Sequence, residues 1–82
     1  MDSLTTIPAS IDALRRIATA GMGCPLTFED SRTPLHVDSF SARAGVSVFD
    51  QMTGRAQGLV REQVSTREGM KTFLFAAFLR RR

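Results

Sequence analysis

Half of the chain's six phenylalanines fall in one C-terminal stretch, Ser65-Thr-Arg-Glu-Gly-Met-Lys-Thr-Phe-Leu-Phe-Ala-Ala-Phe-Leu-Arg-Arg-Arg82, and any fold this sequence adopts must find a place for them. Met70, Phe73, Leu74, Ala77 and Phe78 recur at i, i+3, i+4, i+7 and i+8, which puts them on one face of a 3.6-residue repeat. Ser65 followed three residues on by Glu68 is a capping box, in which each side chain satisfies a backbone N–H that the first helical turn leaves unpaired. The spacing predicts a helix starting at Ser65, with Phe73, Leu74 and Phe78 buried as the largest single part of the core.

Burial is demanding in a chain of this size, because 82 residues hide only about 60% of the surface they expose when unfolded. The whole chain 1–82 reads as one small domain, with residues 1–7 as a polar lead-in outside its packed part. Hydrophobic residues at 43% and charged residues at 23% are near globular averages, so a folded chain is expected rather than a disordered one. Self-association is an obvious way for so small a domain to bury more.

The first helix reads as residues 8–20. Pro8 suits a first turn, where its missing N–H costs nothing. Ile11, Leu14, Ile17 and Ala18 share a face, Asp12 and Arg16 form an i, i+4 pair on the other, and Gly21, Gly23 and Pro25 end the helix. From Pro25 the period changes to two: Leu26 and Phe28 alternate with Thr27 and Glu29. Turn residues Asp30-Ser-Arg-Thr-Pro34 follow, and Leu35, Val37 and Phe40 resume. This predicts a hairpin with strands over 26–29 and 35–41, and Pro34 at the mouth of its strand, where no ladder N–H is lost.

Residues 44–64 admit two readings. As strands, Val46–Asp50 and Gly58–Val64 flank a turn in which Gly54 supplies positive φ. As a helix, Met52, Ala56, Leu59, Val60 and Val64 have helical spacing, but Gly54 and Gly58 in its interior cost roughly 2 kcal/mol relative to Ala. That cost favours a second hairpin. The fold class expected is therefore α+β: an N-terminal helix, an antiparallel sheet of about four strands in two hairpins, and a C-terminal amphipathic helix packed on the sheet.

Within the ambiguous segment, Ser41-Ala-Arg-Ala-Gly-Val-Ser47 resembles the turn of a helix-turn-helix. In that motif a Gly ends the first helix, an apolar residue plugs the core and a Ser caps the recognition helix, as Gly45, Val46 and Ser47 would. The chain departs from the pattern at Gln51 and Gly54, where a recognition helix buries apolar side chains. The resemblance implies a basic nucleic-acid-binding regulator around residues 41–56, with Gln51 and Arg55 facing DNA and Arg80, Arg81 and Arg82 adding phosphate contacts. The net charge of +3 is mild, and the terminal arginines equally complement a helix C-terminus.

No catalytic residue, metal-ligand set or cofactor motif stands out, and no cofactor is expected. His36, the only histidine, sits between Leu35 and Val37 in an extended pattern, which points it away from the buried face. Cys24 is the only cysteine and lies between Gly23 and Pro25 rather than at a helix N-terminus that would stabilise a thiolate. Glu29, Asp30 and Asp38 read as a solvated turn. One cysteine, the polar start Met1-Asp2-Ser3 and an apolar run of only Phe73 to Leu79 predict a cytoplasmic protein without a membrane partner. The function expected is a small non-enzymatic protein-binding module or subunit, acting on another protein or on itself through a sheet edge or the apolar rim of its last helix. Nucleic acid is the alternative partner.

Overall fold

A computed structural model describes residues 6–80. The fold is α+β, with four helices and a three-stranded sheet in strand order β1-β2-β3. The elements are β1 (Ile7–Pro8), α1 (Ile11–Ala20), β2 (Cys24–Phe28), β3 (Ser31–Val37), α2 (Ser39–Asp50), α3 (Gly54–Gln63) and α4 (Arg67–Arg80). β1 pairs parallel to β2 and β2 antiparallel to β3, so the N-terminal half is a βαβ unit extended by one hairpin.

Local chemistry explains the boundaries. Ser10 caps α1 by accepting from the Ala13 N–H at 3.0 Å, which leaves Pro8 outside the helix, in β1. The helix expected from residue 8 therefore begins at Ile11, and Ile7 of the expected lead-in belongs to the sheet; residues 1–5 lie outside the described residues. Gly21 ends α1 as expected, at φ +75° with its N–H donating to the Ile17 carbonyl at 3.0 Å. The hairpin is tighter than the sequence suggests. Phe28 pairs with Ser31 across a two-residue turn at Glu29 and Asp30, and the strand runs on through Pro34 to Val37. Pro34 is tolerated inside it because β3 is an edge strand.

Residues 39–63 form no second hairpin. Asp38 caps α2 by accepting from the Ser41 N–H at 3.1 Å, and the helix continues without a break through Gly45. Thr53 caps α3 by accepting from the Ala56 N–H at 3.4 Å, so Gly54 occupies the first helical position and only Gly58 lies in an interior. The glycine cost weighed against a helix is thus about 1 kcal/mol, half of what two interior glycines would impose. The last helix starts at Arg67, two residues later than expected, and its capping side chain is Thr66 in place of Ser65. Thr66 accepts from the Gly69 N–H at 3.0 Å, while the Ser65 hydroxyl donates back to the Glu62 carbonyl at 2.7 Å. Gly69 is required there: a Cβ on it would stand 1.9 Å from the Gln63 carbonyl oxygen.

One face of the sheet, with Leu26, Phe28, Leu35 and Val37, meets the core, while Thr27, Pro34 and His36 face away from it. α2 lies at the centre of the helical layer, packed on α1 and α4. α4, expected to lie on the sheet, packs mainly on α2 and only marginally on β3. Phe49, Leu14, Leu26, Met70 and Val64 are the largest side chains fully buried between these layers.

Candidate functional site

α4 is apolar on two sides. Its inner side, Met70, Phe73, Leu74 and Ala77, is buried. The close approach depends on Gly45 of α2, whose absent Cβ would lie 3.0 Å from Leu74 Cδ2, 3.2 Å from Phe73 Cε2 and 3.6 Å from Leu14 Cδ1. Its outer side carries Phe75, Phe78 and Leu79, which are 66%, 39% and 45% exposed. Phe40, in the first turn of α2 and 59% exposed, stacks edge-to-face on Phe78 with ring centroids 5.8 Å apart. Phe73 and Leu74 are buried as the spacing predicts; Phe78 is not. At 100° per residue Phe78 stands about 80° round the helix from Met70, at the margin of the inner face, and α2 offers it only Phe40.

These four side chains form one outward apolar ridge. Beside it a groove of about 470 Å³ opens between β3 and α4, lined by Leu35, Val37, Lys71, Thr72, Leu74 and Phe75. Met22 and Leu59 are exposed as well, at 73% and 65%, but they lie on the α1–β2 turn and on α3. Isolated apolar residues of that kind are ordinary; a ridge of three phenylalanines and a leucine is not.

The sheet edges are less available. β1 is two residues long. On β3, Pro34 has no N–H to offer, and Arg67 takes two carbonyls, with Nε donating to Thr33 at 3.1 Å and Nη2 to Pro34 at 3.5 Å. Short strands, prolines and covering cations are the devices that blunt an edge against strand addition. Of the two surfaces expected from the sequence, the helix rim is the one left open.

Electrostatics around the ridge are mixed. Glu68 and Lys71 pair at 3.6 Å at the start of α4, and Arg80 stands exposed at its end. The Ser41 hydroxyl and backbone N–H hold the Asp38 carboxyl below its ordinary range. At the opposite end of α2, Arg15 makes a two-pronged bridge to Asp50, at 2.5 and 3.1 Å, and the bridge lowers the Asp50 pKa and raises that of Arg15. Arg61 of α3 lies over the Phe49 ring at 5.0 Å, and the Gln57 amide donates to the Phe49 carbonyl at 2.9 Å.

The residues of the nucleic-acid alternative are not brought together. Gly45, Val46 and Ser47 lie inside α2, so the helix-turn-helix turn inferred there does not exist; Gly45 is a packing glycine rather than a helix stop. The chain turns instead at Gln51–Thr53, with Arg55 on the first turn of α3. Arg80 is at the Phe40 end of α2 and Gln51 about 16 Å away at the other. Arg81 and Arg82 lie outside the described residues. Asp50, next to Gln51, is occupied by Arg15.

The remaining chemistry-bearing residues are dispersed. Asp30 accepts from the Arg67 N–H at 3.3 Å at one end of β3, and Asp38 caps α2 at the other, about 26 Å along the strand. His36 is exposed, with its ring against Gly23, and Cys24 is half-buried at the start of β2. Among the described residues no group of three or more His, Cys, Asp or Glu is placed to hold a metal, and no helix is long and apolar enough to cross a membrane. Comparison with known protein families, curated proteins and solved structures returns no match to this chain.

The outer ridge was within reach of the sequence. Phe75 and Leu79 fall opposite Met70 and Ala77 on the helical repeat, so a stretch apolar on both sides signals either full burial or a second contact.

Proposed function

We propose that the chain is a small non-catalytic protein-binding module that docks through the Phe40–Phe75–Phe78–Leu79 ridge and the groove beside it. The observation carrying this reading is the continuity of the ridge: four large apolar side chains from two helices share one exposed face. Taking about 200 Å² for a whole phenylalanine, their exposed area is roughly 400 Å², in the range of the largest apolar patch on a typical monomer, which is often functional. The blunted edges of β1 and β3 favour side-chain docking over strand addition.

The test is a photo-crosslinking amino acid placed at Phe75 and, as control, at Leu59, with the protein expressed in its native cells. The expected result is a discrete adduct from position 75 and none from position 59. Absence of an adduct, or the same adducts from both positions, overturns the reading. Duplex DNA at physiological salt should bind no more tightly than about 0.1 mM, the level of any weakly basic surface. Sub-micromolar, sequence-selective binding would replace the docking module with the nucleic-acid regulator.

A further inference from the structure

We infer that the partner of this ridge is a second copy of the chain, held by two α4 helices packed antiparallel about a two-fold axis at Phe75. This rests on the docking reading and adds to it the partner and the geometry. A two-fold interface needs a surface complementary to itself, and three features of α4 meet that condition.

The first is spacing. Glu68 precedes Phe75 by seven residues, two helical turns, and shares its side of the helix. When two such helices cross antiparallel at Phe75, Phe78 of one comes opposite Thr72 of the other, and Leu79 opposite Lys71. Thr72 and Lys71 line the groove, so the apolar knobs at one end of the ridge meet the groove at the other, twice over by symmetry.

The second is area. A stable interface takes about 800 Å² from each partner, a little over half of it apolar. The ridge supplies roughly 400 Å² of that apolar area, and the groove walls and the polar residues around it can supply the remainder.

The third is charge. The outer side begins at the carboxylate of Glu68, 80% exposed, and α4 ends at Arg80, which Arg81 and Arg82 follow in sequence. Antiparallel packing sets the acidic start of one helix and its positive dipole end near the basic end of the other. Parallel packing would set the two basic ends, and the two helix dipoles, side by side. Lys71 beside Glu68 reduces this preference without reversing it, because its charge is already paired at 3.6 Å.

Sedimentation from 1 to 200 µM should show conversion of the 9.0 kDa chain to a species of twice that mass. Phe75→Asp puts two carboxylates at the axis and should weaken the dimer at least 30-fold, the effect of losing a central anchor. Leu59→Asp, equally exposed but on α3, should leave the constant within twofold. Circular dichroism on both variants excludes unfolding as the cause. A dimer indifferent to Phe75→Asp overturns the proposal, since its interface would lie elsewhere.

Spin labels at Glu68→Cys in a Cys24→Ser background read the geometry. Antiparallel helices crossing at Phe75 separate them by about 21 Å along the axis, whereas parallel helices leave about 10 Å; the short distance overturns the antiparallel arrangement. A strict monomer that still crosslinks through position 75 to another polypeptide overturns the second copy and leaves the docking module standing. A strict monomer that crosslinks to nothing overturns both.

Discussion

Phe73 and Phe75 stand two residues apart on the same helix, and one is 5% exposed while the other is 66% exposed. The side chains are identical; what faces them is not. Phe73 meets α2 at Gly45, where a missing Cβ lets the helices approach, and Phe75 looks out beside a groove. The buried side is the one that meets a small residue on the neighbouring helix, so the apolar content of α4 does not by itself mark its core face. The other side then remains for a different use.

The largest expected effect is on the inner side. Phe73→Ala should lower the unfolding free energy by about 3 to 5 kcal/mol, which is comparable with the whole stability expected of a domain this small. Chemical denaturation measures it, and a loss under about 1 kcal/mol would erase the distinction between the two sides. Next comes the notch itself. Gly45→Val adds carbons where Leu74 and Phe73 already stand 3.0 and 3.2 Å from an ideal Cβ, and should cost about 1 to 3 kcal/mol through overpacking. If it stabilised the protein instead, the close approach at Gly45 would not be what seats α4.

Phe78 lies between the two sides and should behave accordingly. Phe78→Ala gives up a partly buried ring and its edge contact with Phe40, about 1 to 2 kcal/mol in the same denaturation experiment. A result equal to that of Phe73→Ala would return Phe78 to the core, where the spacing of α4 first assigned it.

That misassignment and the missed helices have different causes. The stop and buried face of α1 were legible because Gly21, Leu14 and Ile17 act through local geometry and period, whereas its start was read three residues early, at Pro8. Gly45 was not legible, because its role is set by the distance to side chains almost thirty residues away. A sequence shows a glycine and cannot show whether it turns the chain or admits a neighbour. Gly54 misled for a local reason: Thr53 caps its helix and puts Gly54 at the first helical position, so the interior penalty counted against it does not apply. The candidate site was half legible. The apolar rim of α4 could be read as a binding surface, whereas the blunting of β3 by Arg67 depends on a contact between residues far apart in sequence.

Phe40, the contribution of α2 to the outer ridge, rides on the turn that Asp38 caps. The Asp38 pKa is lower in the folded chain than in the unfolded one, so its contribution is in force above the ordinary carboxylate range and is lost as pH falls through the depressed value. Asp38→Ala should therefore cost about 1 kcal/mol at pH 7, and the difference should shrink as pH falls below the ordinary carboxylate range. A difference unchanged from neutral to acid pH would mean that the cap does not act through its charge.

The smallest expected effect is the most discriminating. Phe75→Ala removes a ring only about one-third buried, worth roughly 0.5 to 1 kcal/mol of burial, and replaces it with the best helix former, which returns about half a kcal/mol. Stability measured near 1 µM should then lie within about 0.5 kcal/mol of wild type. Near 200 µM the two should part: mass action raises the melting temperature of a chain that pairs when folded, and a variant without the central anchor has no such gain. A concentration-dependent melting temperature in wild type that disappears in Phe75→Ala assigns the ring to association and not to folding. Equal concentration dependence in both would show that the outer side of α4, for all its exposed area, is not where the copies meet.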